Sequence, residues 1–255
     1  MFQWTDQSMD WYEQAALHCD FHRRVACLAQ PYLEGCDTIA DLGCGLGYLS
    51  MELSSFCRRM ICVDVSTPAL GRLAENCLRR NITNLETLEA DWTLWQPHPL
   101  PDAVVLSYCN GLGRNLPVLS RLAGKVILSI MPASNEENDS YDLNRYLPQR
   151  ARYRGRENHK TVVPVLQALG VPYQETPFSL PFGQWLRDEE EVKTFLEYYF
   201  DFHPTASQLE EYLASHKAEN GYYLPNVKHG YVVAVKVQDL PPRLLKGAMD
   251  DVESL

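Results

Sequence analysis

Three glycines at alternate positions, Gly43, Gly45 and Gly47, follow an apolar run, residues 38–42, that carries one acid, Asp41. Glycines let backbone approach a ligand closely, and a carboxylate beside them suits a ligand with an ammonium or sulfonium centre. The same acid repels a diphosphate, and Tyr48 stands where the dinucleotide fingerprint GxGxxG needs its last glycine. Nicotinamide binding is therefore disfavoured. Two more acids end later apolar runs. Asp64, followed by Val65, has two oxygens that match the vicinal hydroxyls of a ribose. Asp91 with Trp92 offers a carboxylate for an adenine amino group and an indole for its flat face.

The elements that must hold these residues are legible as an alternation. Strands are predicted over residues 38–42, 60–65, 85–90, 103–107, 125–131 and 173–180. Between them, Leu49, Leu53 and Phe56 mark one helix face, and Leu116, Leu119 and Leu122 mark another. Thr67 before Pro68 reads as an N-cap, with Leu70, Leu73, Ala74, Cys77 and Leu78 at helical spacing behind it. Such alternation implies right-handed crossovers in a doubly wound, mainly parallel sheet. Upstream, residues 8–30 read as one long helix. Thr161 to Leu169 reads as a helix stopped by Gly170. Asp188 with Glu191 and Thr205 with Gln208 resemble capping boxes opening helices over residues 188–200 and 205–218, with Asn220-Gly221 as the stop. Strands at 222–224 and 229–237 follow.

The ordered set of glycine loop, second-strand acid and third-strand acid resembles the class I S-adenosylmethionine-dependent methyltransferases. The acid-x-Gly-x-Gly-x-Gly loop stands as Asp41 to Gly47, the ribose acid as Asp64, and the base-side acid as Asp91. The resemblance implies a Rossmann-like α/β fold with a seven-stranded sheet and S-adenosylmethionine as cofactor. It places Asp41, Gly43, Cys44, Gly45 and Gly47 by the amino-acid part and ribose, Asp64 and Val65 on the ribose side, and Asp91 and Trp92 by the adenine. Ser107 ends the fourth strand and Tyr108 follows it, where the family places groups near the transferred methyl. Tyr108 is thus the candidate catalytic residue, with a tyrosine packed under a cap as the plainer alternative. The motif Asn-Pro-Pro-Tyr used on base or amide nitrogen is absent, for the local sequence is Ser107-Tyr108-Cys109-Asn110. The family joins its last two strands by a short turn, whereas residues 181–228 intervene here and carry two capped helices. The expected organisation is an N-terminal helical lid at 1–36, a core at 37–180 and 222–238, a helical cap at 181–221, and a loose tail at 239–255.

Trp11, Tyr12 and His18 are substrate-side candidates on the first helix, although packing is the plainer account of aromatic residues there. His18 and His22 lie four apart without further ligands, so no metal is expected. Arg145, Arg150, Arg152, Arg154 and Arg156 form a basic stretch that suits an acidic substrate or plain solubility. Lys and Arg number 23 against 33 Asp and Glu, a net charge of −10 over 255 residues, which disfavours long contact with nucleic acid. No run approaches the ~20 apolar residues of a membrane helix, and the start lacks a basic-then-apolar leader. The eight cysteines show no CxxC pair and read as reduced, mostly buried thiols in a cytoplasmic protein. The expectation is a methyltransferase for a small-molecule acceptor. Its competitors are a methyltransferase-like partner-binding subunit, which would expose an apolar patch on the cap, and another adenosylmethionine-using enzyme such as an aminopropyl transferase, marked by an acidic site. The oligomeric state is left open.

Overall fold

The computed structural model describes residues 4–134, 140–146, 157–242 and 244. Arg150, Arg152, Arg154, Arg156 and most of the 239–255 tail lie outside the described residues, while Arg145 faces Glu211 at 3.9 Å. Two helices stand where one is expected, α1 at Asp6–Leu17 and α2 at Phe21–Ala29. The chain turns at His18, whose N–H still donates to the Gln14 carbonyl, and Asp20 precedes the new helix. The apolar side chains of α1 and α2 bury against different surfaces, which one straight helix cannot reach. Trp11 enters a cluster with Phe195 and Leu196, whereas Phe21 and Val25 pack on the sheet beside Ile39 and Phe178.

The core then alternates: β1 at Thr38–Leu42, α3 at Tyr48–Leu53, β2 at Arg59–Asp64, α4 at Thr67–Arg79, β3 at Leu85–Glu89 and β4 at Ala103–Ser107. It continues with α5 at Leu116–Leu122, β5 at Val126–Pro132, α6 at His159–Leu169 and β6 at Gln174–Pro181. After these come β7 at Gln184–Leu186, α7 at Glu189–Phe200, α8 at Ala206–His216, β8 at Lys217–Ala218, β9 at Gly221–Leu224 and β10 at Val227–Lys236. The main sheet has seven strands in the order β3-β2-β1-β4-β5-β10-β6. β1 to β5 pair in parallel, and β10 runs antiparallel to both of its neighbours. Strand alternation sends Ile39 to one face of the sheet and Ala40 and Leu42 to the other, so each face builds its own core. The strand order reverses between β1 and β4, the place where open α/β sheets leave a crevice at their carboxyl ends.

Local corrections have simple causes. Ser66, not Thr67, caps α4, its hydroxyl accepting from Ala69 N at 3.4 Å, which leaves Thr67 and Pro68 in the first turn. Asp188 caps α7, but the Glu191 carboxylate does not close the box, because it accepts instead from Arg187 N at 2.7 Å and Trp11 Nε1 at 3.1 Å. Thr205 and Gln208 do form the full box on α8, and Gly170 stops α6 at φ 65°. α8 ends at His216, before Asn220-Gly221. Residues 222–224 do not extend the main sheet: β9 joins β7 and β8 in a separate three-stranded sheet. A Cβ on Gly221 would stand 2.3 Å from the Leu186 carbonyl oxygen, so this pairing needs glycine there. All eight cysteines are free, but only Cys36, Cys62 and Cys77 are buried, and Cys27 is exposed.

Candidate active site at the carboxyl ends of β1 and β4

The turn after β1 folds back on β2. Gly43 N and Cys44 N both donate to the Val63 carbonyl, at 2.7 and 3.2 Å. Gly43, Gly45 and Gly47 have φ of 74°, 55° and 65°, the left-handed region that penalises any Cβ. Space forbids a side chain as well: a Cβ on Gly47 would meet Leu73 of α4 at 2.4 Å, and one on Gly43 would meet Cys109 Sγ at 2.8 Å. Asp64 braces this turn, its Oδ2 accepting from Gly45 N and its Oδ1 from Ser66 N, both at 2.8 Å. A carboxylate oxygen has two lone-pair sites, so each keeps acceptor capacity for a hydroxyl.

Asp41 lies beneath the loop at 1% exposure, with Ser50 Oγ donating to its Oδ2 at 2.5 Å. Its Oδ1 is buried and has no hydrogen-bonding partner. Burial pushes the Asp41 carboxyl up to about 7, against the lowering effect of the Ser50 hydroxyl. An under-satisfied carboxyl below three glycines too tightly set for side chains is a fit for a ligand that brings positive charge to this loop.

The two residues expected beside the adenine, Asp91 and Trp92, follow the end of β3. Asp91 is exposed and its Oδ1 accepts from Thr93 N and Thr93 Oγ1 at 2.9 and 2.7 Å, so it also caps a local turn. The half-buried Trp92 ring lies 3.2 Å from where a Cβ of Gly111 would be. Val65, 44% exposed, presents an apolar surface next to Asp64. Tyr108 leaves β4, after Ser107, with φ 52° and its N–H donating to the Ile130 carbonyl. A bulky residue in that region costs about 1–3 kcal/mol, so the turn is held by its surroundings.

An aromatic group closes over the loop. The Trp4 indole lies 3.0 Å from where a Cβ of Gly45 would be and meets Tyr12 edge-on at 5.6 Å between centroids. Tyr12 also packs on Tyr48 and Phe182, and its hydroxyl shares a 2.9 Å hydrogen bond with His22 Nε2. Burial, aided by the charges of Lys228 and Arg80, pushes His22 down to about 3, so it stays neutral. Burial and the nearby Asp41 push the Tyr12 phenol above its ordinary range. The Lys228 ammonium sits over Phe182, Tyr108 and Phe21, at 3.9, 4.6 and 5.0 Å from the ring centroids.

The predicted substrate-side residues therefore separate. Tyr12 belongs to this group. Trp11 does not: at 1% exposure it fills the joint between α1 and α7, against Phe195 and Tyr199. His18 is an exposed C-cap bonded to the Gln14 carbonyl. His22 faces the site in its place, because the break at residues 18–20 re-aims the second helix. Phe21, Phe182 and Lys228 come together only through tertiary structure, and no spacing in the sequence marks them as a set. Among the described residues, no three His, Cys, Asp or Glu side chains converge as a metal site.

Residues 39–132 match a family described as "Methyltransferase domain". Those residues form a methyltransferase domain, and the enzyme is a methyltransferase. Its cofactor is S-adenosylmethionine. None of the curated proteins matches the methyltransferase in sequence. Among solved structures it is similar to the YcgJ protein from Bacillus subtilis, at TM-score 0.56 and 13% identity over 84% of this chain and 98% of that one. A putative type II methyltransferase from Anaeromyxobacter dehalogenans matches at TM-score 0.53 and 14% identity, over 86% of this chain and 97% of that one. The magnesium protoporphyrin IX methyltransferase from Synechocystis PCC 6803 with bound SAH matches at 0.50 and 13%, over 92% and 89%. At such identities the likeness is one of fold.

Proposed function

We propose that the methyltransferase acts on a small-molecule acceptor seated where the aromatic group meets the glycine loop. The observation that supports this reading is the convergence of Trp4, Tyr12, Phe21, Tyr108 and Phe182, from separate stretches of chain, at one end of the β1–β4 crevice. An aromatic shell of that kind suits a compact apolar body more than a polymer backbone, and the net charge of −10 also disfavours nucleic acid. On the cap, the apolar side chains of α7 and α8 are largely consumed in their own buried cluster, which gives no support to a partner-binding patch. Among the described residues, no helix is long and apolar enough to cross a membrane. Eight free thiols fit a reducing, cytoplasmic setting.

In this reading Asp64 receives the ribose hydroxyls, Val65, Asp91 and Trp92 surround the adenine, and Gly43, Cys44, Gly45 and Gly47 admit the amino-acid arm above Asp41. The bound cofactor supplies an electrophilic methyl group on a sulfonium. The chain's own part is positioning and exclusion of water: Trp4 and Tyr12 cover the loop, and Ser107 and Tyr108 flank the path to the acceptor. Neutral His22 and Tyr12 form a polar pair that can orient an acceptor without adding charge. Calorimetric titration with S-adenosylmethionine and with NAD, followed by a metabolite screen for adenosylhomocysteine release, tests the proposal. Binding of NAD in preference, or turnover only on nucleic acid or protein, would overturn it.

A further inference from the structure

One buried carboxylate beside the crevice has no part in the reading above. Glu157 immediately precedes Asn158, the cap of α6, and its side chain is only 9% exposed. Its Oε2 accepts from Gly111 N at 2.9 Å and from Gly113 N at 3.2 Å, and its own N–H donates to Asn110 Oδ1 at 2.9 Å. The start of α6 and the loop after β4 thus hold each other in both directions. Oε1 is buried without a hydrogen-bonding partner, with Arg114 Nε 3.7 Å away, and it lies 3.3 Å from where a Cβ of Gly113 would be. Stability alone explains such a group badly, because burying a carboxylate oxygen without a donor is unfavourable.

The loop it holds faces the crevice at two points. Cys109 Sγ lies 2.8 Å from where a Cβ of Gly43 would be, and Gly111 is packed so closely on the Trp92 ring and Leu106 that a Cβ there would meet them at 3.2 and 2.7 Å. With no side chain between, the height of the Gly111 backbone sets how deep the indole can seat. Two N–H groups gathered on one carboxylate oxygen fix that height, since charge-assisted hydrogen bonds are stronger than those between neutral groups. Resting on the placement of adenine beside Trp92 given above, we propose that Glu157 is a positioning residue for the cofactor: through Gly111 it seats the Trp92 indole against the base, without touching the cofactor itself.

The test is a double-variant cycle on the full chain, read by calorimetric titration with S-adenosylhomocysteine. Glu157→Ala is expected to weaken binding roughly tenfold, and Trp92→Ala to weaken it as well, whereas in the Trp92→Ala background the further effect of Glu157→Ala should shrink to about twofold or less. A brace that only stabilised the fold would lower the melting temperature yet show no such coupling to Trp92. Glu157→Gln, which keeps an oxygen acceptor for both N–H groups, should stay within about threefold of wild type. Should Glu157→Ala not fold, Glu157→Asp takes its place in the cycle, its shorter side chain drawing the carboxylate away from Gly111 and Gly113. Undiminished affinity in the Glu157 variant, an equal loss in the Trp92→Ala background, or a loss in Glu157→Gln as large as in Glu157→Ala overturns the proposal. Failure of S-adenosylhomocysteine to bind wild type would instead bring down the cofactor reading, and unchanged affinity in Trp92→Ala the adenine placement, and the proposal falls with either.

Discussion

Asp64 and Asp41 sit one strand apart, yet their surroundings set them different tasks. Asp64 keeps two backbone N–H groups satisfied, so Asp64→Ala should cost stability, about 1–2 kcal/mol, as well as cofactor affinity, by roughly 1.5–3 kcal/mol. Calorimetry and urea denaturation separate the two effects, and unchanged S-adenosylmethionine affinity would remove Asp64 from the ribose assignment. Asp41 has a folded-state pKa raised from 3.8 to about 7, so the folded protein holds a proton that the unfolded chain releases. Its contribution to stability is full below pH 4, falls as pH rises from there toward 7, and is lost above the folded value, by on the order of a few kcal/mol. Asp41→Asn should flatten that decline in melts from pH 4 to 8, and an equally steep decline in the variant would place its origin elsewhere. Residue types made these acids and glycines readable in the sequence. The choice between His18 and His22 was not readable, because it depends on a helix break that leaves no breaker residue, and Lys228 acquires meaning only from three rings distant in sequence.

The helices and strands of the core were legible because their burial is periodic. Leu70, Leu73 and Cys77 face the sheet from α4, and β4 at Ala103–Ser107 stands where its apolar run places it. Elements whose partners lie between β6 and β10 were less so: β9 reads as a core strand but pairs with β7, and α1 turns away from α2 to bring Trp11 onto α7. Packing between elements also decides how much change the loop tolerates. Gly47→Ala must fit a methyl group against Leu73 at a positive φ, so a loss of about 2–4 kcal/mol is expected, with cofactor binding abolished or much weakened. Denaturant unfolding monitors the first effect and calorimetry the second. A double variant with Leu73→Ala should recover part of the loss, whereas no recovery would assign the whole cost to the backbone.

At the scale of the molecule, the strand order places the last strand inside the sheet. β10 pairs along Val126–Pro132 on one side and Gln174–Pro181 on the other, so among the described residues β6 pairs with the main sheet only through it. A chain ended at residue 226 should therefore show lost near-ultraviolet ellipticity and aggregation, because an apolar β5 edge is bared. A soluble, folded fragment of that length would refute the reasoning. On the ribosome, the parallel half from β1 to β5 is complete in sequence well before the strand that seals it has emerged. The nascent protein must keep an open flank through the synthesis of α6, α7 and α8, and this interval is where a chaperone would find it exposed.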